Sequence, residues 1–177
     1  MKEIVEQTLS LYFKKMREPL FEELTLSHNI DIEKKWCSFV TLYLSWDVHG
    51  SAGNIKEISW TMAQDIYKNT IEALTTDKRF KPLTLTEAES LKFRLDIIED
   101  RKVISESEMM NLDPVKYWVI AIKRDYDKLA VILPNISPKI LTGSDFIEIL
   151  KNKLQEKKFD EKDYIIYSIS TISESNY

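Results

Sequence analysis

His49 and Ser51 stand two residues apart in the stretch DVHGSAGN, residues 47–54, which also holds two of the chain's three glycines and one of its two histidines. A serine hydroxyl becomes a nucleophile when an imidazole takes its proton and a carboxylate orients the ring. Residues two apart on a strand share a face, so this spacing permits the contact. One reading is therefore a hydrolase or transferase with Ser51 as nucleophile and His49 as general base. The other reading uses the backbone. Glycine allows another group to approach the main chain closely, and amides beside Gly50 and Gly53 suit an anion, with Arg79 as a bidentate partner for phosphate or carboxylate. Neither pattern completes a known motif. The nucleophile elbow needs glycine two residues before the serine, where this chain has His49, and no lysine follows the glycines as in a P-loop.

The remaining reactive groups narrow the field. Cys37 is the one cysteine, which excludes an intramolecular disulfide, and with two widely separated histidines it gives no zinc-finger spacing. Beside Trp36 it reads as a small buried apolar residue. His28, in Leu-Ser-His-Asn, reads as a solvated loop residue, and Asp160, Glu161 and Asp163 lack calcium-loop spacing. No metal and no cofactor is expected. A net charge of −4 and a pI near 5.4 argue against coating duplex DNA, which takes a concentrated cationic surface. No stretch reaches the roughly 18 apolar residues of a membrane span, and MKEIVEQTLS carries acidic residues where a secretory signal is apolar. A soluble protein of the reducing cytoplasm is the expectation.

Elements must position these groups. Val5, Leu9, Tyr12, Phe13 and Met16 predict a helix over 2–17, stopped at Arg17-Glu18-Pro19. WCSFVTLYL, residues 36–44, predicts a strand covered on both faces. Ser45 to Asp47 make a turn, and the glycine stretch returns as a short strand. Met62, Ile66, Ile71 and Leu74 predict a helix over 59–75 with Ser59 as its N-cap. Thr84 and Glu87 form a capping box that opens a helix of two turns. Leu91, Phe93, Leu95 and Ile97 alternate with polar residues, which predicts a strand buried on one face. VKYWVIAI (115–122) and LAVIL (129–133) predict a hairpin. A helix opens at Thr142-Gly-Ser-Asp145, with Lys151, Lys153, Lys157 and Lys158 as its solvated face, and YIIYSISTI (164–172) is the last strand. The expected fold class is α+β, a mostly antiparallel sheet flanked by helices with a smaller second lobe. The expectation is one domain over 1–172 and a frayed end at 173–177.

With these elements placed, the order of local phrases becomes informative. Phe39-Val-Thr-Leu42, the glycines at 50 and 53, Asp77-Lys-Arg-Phe-Lys-Pro-Leu83, the alternating strand 91–97 and Leu133-Pro-Asn-Ile136 follow one another. The chain resembles, over nearly its whole length, the AMME-syndrome candidate gene 1 domain family, whose phrases read F-V-T-L, L-R-G-C-I-G, D-P-R-F-P-P-L and L-P-Q-V. Here Val48-His49-Gly50-Ser51-Ala52-Gly53 replaces the second phrase, with His49 at the arginine and Ser51 at the cysteine. Lys78 stands at the first proline of the third phrase and Asn135 at the glutamine of the fourth.

The resemblance implies the α+β architecture and a binding or accessory module for a nucleotide-like or other anionic small molecule, or for a radical-SAM or Memo-type protein partner. The ligand residues it implies are Gly50, Gly53, Arg79 and Asn135. The altered His49 and Ser51 leave the enzyme and the purely structural interaction readings open beside it.

Overall fold

The structure, a computed structural model, describes residues 1–26, 37–134 and 142–177; His28, Trp36 and Asn135 lie outside the described residues. The first helix, α1 (Lys2–Lys15), buries Ile4, Val5, Thr8 and Leu9 and ends where Met16 turns left-handed at φ 52°. Its stop thus comes just before the expected one. Met16 leaves the stripe and is exposed, because the cap turns it off the apolar face. The Tyr67 hydroxyl donates to the Pro19 carbonyl at 2.5 Å and so holds the chain that follows the helix.

Strands β1 (Ser38–Leu44) and β2 (Asp47–Gly53) form a hairpin. Ser45 and Trp46 at its tip have φ of 52° and 71°, the paired left-handed angles of a turn whose twist matches the strands. Helix α2 (Met62–Thr75) follows, capped by Thr61, whose side chain accepts the Gln64 N–H, rather than by Ser59. Ser59 is drawn inward instead, where its hydroxyl donates to Asp65 at 3.2 Å. Asp65 is fully buried and also accepts the Ser38 N–H and hydroxyl, at 2.9 and 2.7 Å, and the amides of Asn54 and Asn69, each at 3.0 Å. One carboxylate therefore ties β1, the end of β2 and α2 together.

The Thr84–Glu87 capping box forms as expected but opens only a single turn, α3 (Leu85–Ala88). Strand β3 (Lys92–Ile104) is longer than its alternating segment, and a short helix unanticipated in sequence, α4 (Glu106–Met110), follows with its own Ser105–Glu108 box. The hairpin β4 (Trp118–Lys123) and β5 (Leu129–Ile132), helix α5 (Asp145–Leu154) and strand β6 (Tyr164–Ser175) complete the chain. The end is not frayed: residues 173–175 continue β6, and Asn176 accepts the Phe93 N–H at 2.8 Å.

The fold class is α+β, with six strands in the order β2-β1-β3-β6-β4-β5. The chain divides into two compact units, residues 1–97 with 172–177, and the smaller 98–171. In the first, α1 and α2 bury Ile4, Val5, Ile66 and Ile71 against Val40, Leu42, Phe93 and Leu95. In the second, Phe146 and Leu150 of α5 meet Val119, Ala121, Ile132 and Ile166. Among the described residues, no helix is long and apolar enough to cross a membrane.

Candidate functional site along strand β2

Strand β2 is one of the two outer strands of the sheet, so among the described residues one of its edges is not paired to another strand. Its register with β1 slips once: Leu42 faces Gly50 and Tyr43 faces Val48, which leaves His49 as the extra residue of a bulge. Such an insertion re-aims a side chain. The His49 ring meets the loop after α2, with Nε2 3.0 Å from the Lys81 carbonyl and its centroid 5.4 Å from that of Phe80. Because a carbonyl only accepts, Nε2 carries the proton in this contact.

The close approach expected at the glycines is made by the protein itself. A Cβ on Gly50 would lie 2.0 Å from the Ala73 carbonyl oxygen of α2, and one on Gly53 would lie 2.1 Å from the Phe39 ring. Neither glycine has a positive φ. Their role in the structure is to let a helix backbone and an aromatic ring close onto β2.

Ser51 divides its bonding. Its hydroxyl lies 3.2 Å from that of Thr41, while its N–H donates across the strand edge to Asp77 Oδ2 at 3.1 Å. No hydrogen bond joins Ser51 to His49 among the described residues. Asp77 in turn takes both branches of Arg79, Nε to Oδ1 at 2.8 Å and Nη2 to Oδ2 at 2.6 Å. The Arg79 guanidinium beside it, helped by the Ser51 N–H, lowers the Asp77 carboxyl to about 2. Arg79 keeps two thirds of its side chain in solvent and stacks its guanidinium 5.3 Å from the Phe80 ring centre. Lys78 and Lys81 flank it, both exposed. Asp77 thus links Arg79 to the glycine strand, while Asn135 lies outside the described residues.

The AMMECR1 family model matches residues 3–171. The chain belongs to the AMMECR1 family. Protein CA_C1420 of Clostridium acetobutylicum is 28% identical over 152 residues, a match covering 80% of this chain and 31% of that protein, so the chain spans under a third of that relative. A Thermotoga maritima protein is 29% identical over 125 residues, covering 70% of this chain and 69% of that one. The crystal structure of protein PH0010 from Pyrococcus horikoshii shares the fold with a TM-score of 0.77, at 17% identity, over 96% of this chain and 86% of that one.

Within the AMMECR1 fold of this chain, the sheet register also aligns Ser51 with a charged cluster that sequence reading missed. Ser51 pairs with Thr41 and Thr41 with Arg94, so the three side chains form a row across β2, β1 and β3. Arg94 is bound through Nε to Asp96 at 2.9 Å and through Nη2 to Ser173 at 3.2 Å, and the Ser173 hydroxyl donates to Asp96. The only local signal was the Arg94-Leu-Asp96 spacing, which sets two opposite charges on one face of a strand. Ser173, 79 residues away, gave none.

Proposed function

We propose that this AMMECR1-family protein is a binding or accessory module that takes an anionic, nucleotide-like small molecule on the outer edge of β2. The observation that carries the reading is the orientation of Arg79 by Asp77, which is itself fixed to the Ser51 N–H. A guanidinium held in place and left largely in solvent offers its remaining N–H groups to a phosphate with little ordering cost. Lys78, Arg79 and Lys81 against the one carboxylate of Asp77 leave this loop cationic within an acidic protein. The rings of Phe80 and His49 add faces on which a planar base stacks. Membership of the family supports, by analogy of fold, an accessory role beside a Memo-type or radical-SAM partner.

Calorimetric titration with ADP tests the reading. Binding is expected in the wild type, weakened about tenfold in Arg79→Ala through loss of a charge-assisted contact. It weakens further as salt rises, since exposed charges are screened. Unaltered ADP affinity in a folded Arg79→Ala protein contradicts it.

A further inference from the structure

We infer that His49 makes the β2-edge site respond to pH: protonated at Nδ1, its ring adds a positive charge near Arg79 and tightens binding of the nucleotide phosphates. The inference rests on the nucleotide reading of that site and names its regulation. The bulge aims the ring at the loop after α2, where Nε2 donates to the Lys81 carbonyl at 3.0 Å. Nδ1 has no hydrogen-bond partner among the described residues, so the second proton is taken up there. Protonation therefore changes the charge of the ring without releasing it from the loop. The ring centre lies 5.4 Å from that of Phe80, and the Arg79 guanidinium carbon lies 5.3 Å from the same point, so their separation cannot exceed the sum of the two. Charges at that span act on one anion at low salt, where the screening length is about 30 Å at 0.01 M.

The surrounding charges hold still while the ring titrates. Histidine is the side chain whose ordinary charge change falls between about pH 5 and 8, a range in which lysine and arginine remain cations. The loop contributes Asp77, Lys78, Arg79 and Lys81, and α3 contributes Glu87. Helix α2, packed on β2, carries the exposed Glu72 in its last turn, and β2 itself carries the exposed Asp47. Arg79 holds the Asp77 carboxyl at about 2. The Thr84 N–H and hydroxyl, helped by charge on His49, hold the Glu87 carboxyl below its ordinary value, so both carboxylates stay anionic. Glu87 is fixed in its capping box by the Thr84 N–H at 2.8 Å and gives the imidazolium a standing counter-charge on α3. Acidification thus adds one positive charge to the site and removes no negative one from these two carboxylates.

Calorimetric titration with ADP at low salt, between about pH 8 and pH 5.5, on wild type and His49→Gln is the test. Glutamine keeps an N–H for the Lys81 carbonyl but cannot take a charge. ADP takes up a proton of its own in this range, and the ratio of wild-type to variant affinity cancels it. That ratio is expected to rise about fivefold as pH falls and to flatten when salt is raised. By reciprocity, ADP moves the titration of the His49 ring to higher pH by the same factor. Imidazole NMR of the wild type reads this, with the ring identified by its contact with Phe80, and it needs no variant should His49→Gln unfold. An affinity ratio independent of pH, or a ring titration that bound ADP leaves unmoved, overturns the inference while the ADP site stands. Absence of ADP binding at every pH overturns both.

Discussion

Asp77 Oδ2 accepts the backbone N–H of Ser51 at 3.1 Å, so the carboxylate that orients Arg79 also binds the outer edge of β2. An outer strand otherwise presents unsatisfied donors to any passing strand. Here the loop after α2 satisfies one of them with a charged acceptor, and His49 reaches the same loop through Lys81. The strand edge and the cationic loop are therefore one construction.

That bond makes stability depend on acid. A carboxyl whose folded pKa lies below its unfolded value stabilises the fold above the unfolded value and stops doing so as pH falls through the folded one. Asp77 is lowered from 3.8 to about 2, chiefly by Arg79. The stability difference between wild type and Asp77→Asn is expected to stay constant at neutral pH and to shrink between about pH 4 and pH 2. Urea denaturation across that range measures it; a difference independent of pH contradicts the assignment.

Gly50→Ala is expected to destabilise the protein by about 3 kcal/mol, the upper end of overpacking costs. The added methyl meets the Ala73 carbonyl, a backbone atom that cannot rotate away. Equilibrium denaturation reads the cost. A change within about 0.5 kcal/mol would show that α2 shifts to accommodate it.

Asp65→Ala is expected to cost about 3 kcal/mol or more, since each donor left unsatisfied in a buried position costs about 1–3 kcal/mol. The donors that lose this acceptor belong to Ser38 and Ser59, and to Asn54 and Asn69, whose amides keep other partners. Thermal melting checks this, and a melting temperature equal to wild type would remove the network from the account of the fold.

Much of this architecture was legible in local pattern. The alternation of Leu91 to Ile97 and the hairpin of VKYWVIAI with LAVIL gave strands because burial dictates their periodicity. The second half of β3 did not show, because Glu99 to Val103 are all exposed and carry no alternation of buried residues. Asp65 and Asn69, four residues apart on one face of α2, carried a signal that went unread beside the apolar stripe. At the site, the glycines marked the right strand, but the groups that press on them, Ala73 and Phe39, follow from tertiary packing alone. Arg94 and Ser173 meet across the sheet, beyond the reach of any local spacing.

A fluorophosphonate probe is expected to leave Ser51 unmodified in the folded protein. Its hydroxyl is bonded to Thr41, and the His49 Nε2 is held by the Lys81 carbonyl, so no base stands ready to take the proton. Mass spectrometry of the treated protein decides it. Labelling abolished by both Ser51→Ala and His49→Ala would establish the nucleophile after all.

The most direct measurement is backbone amide NMR of the labelled protein titrated with ADP, which reports where the nucleotide sits as well as whether it binds. The shifts are expected to concentrate at His49 to Ser51 and Asp77 to Lys81, and to need about tenfold more ADP in Arg79→Ala. ADP shifts lying wholly outside these two segments, or none at all, would contradict an anion site on the edge of β2.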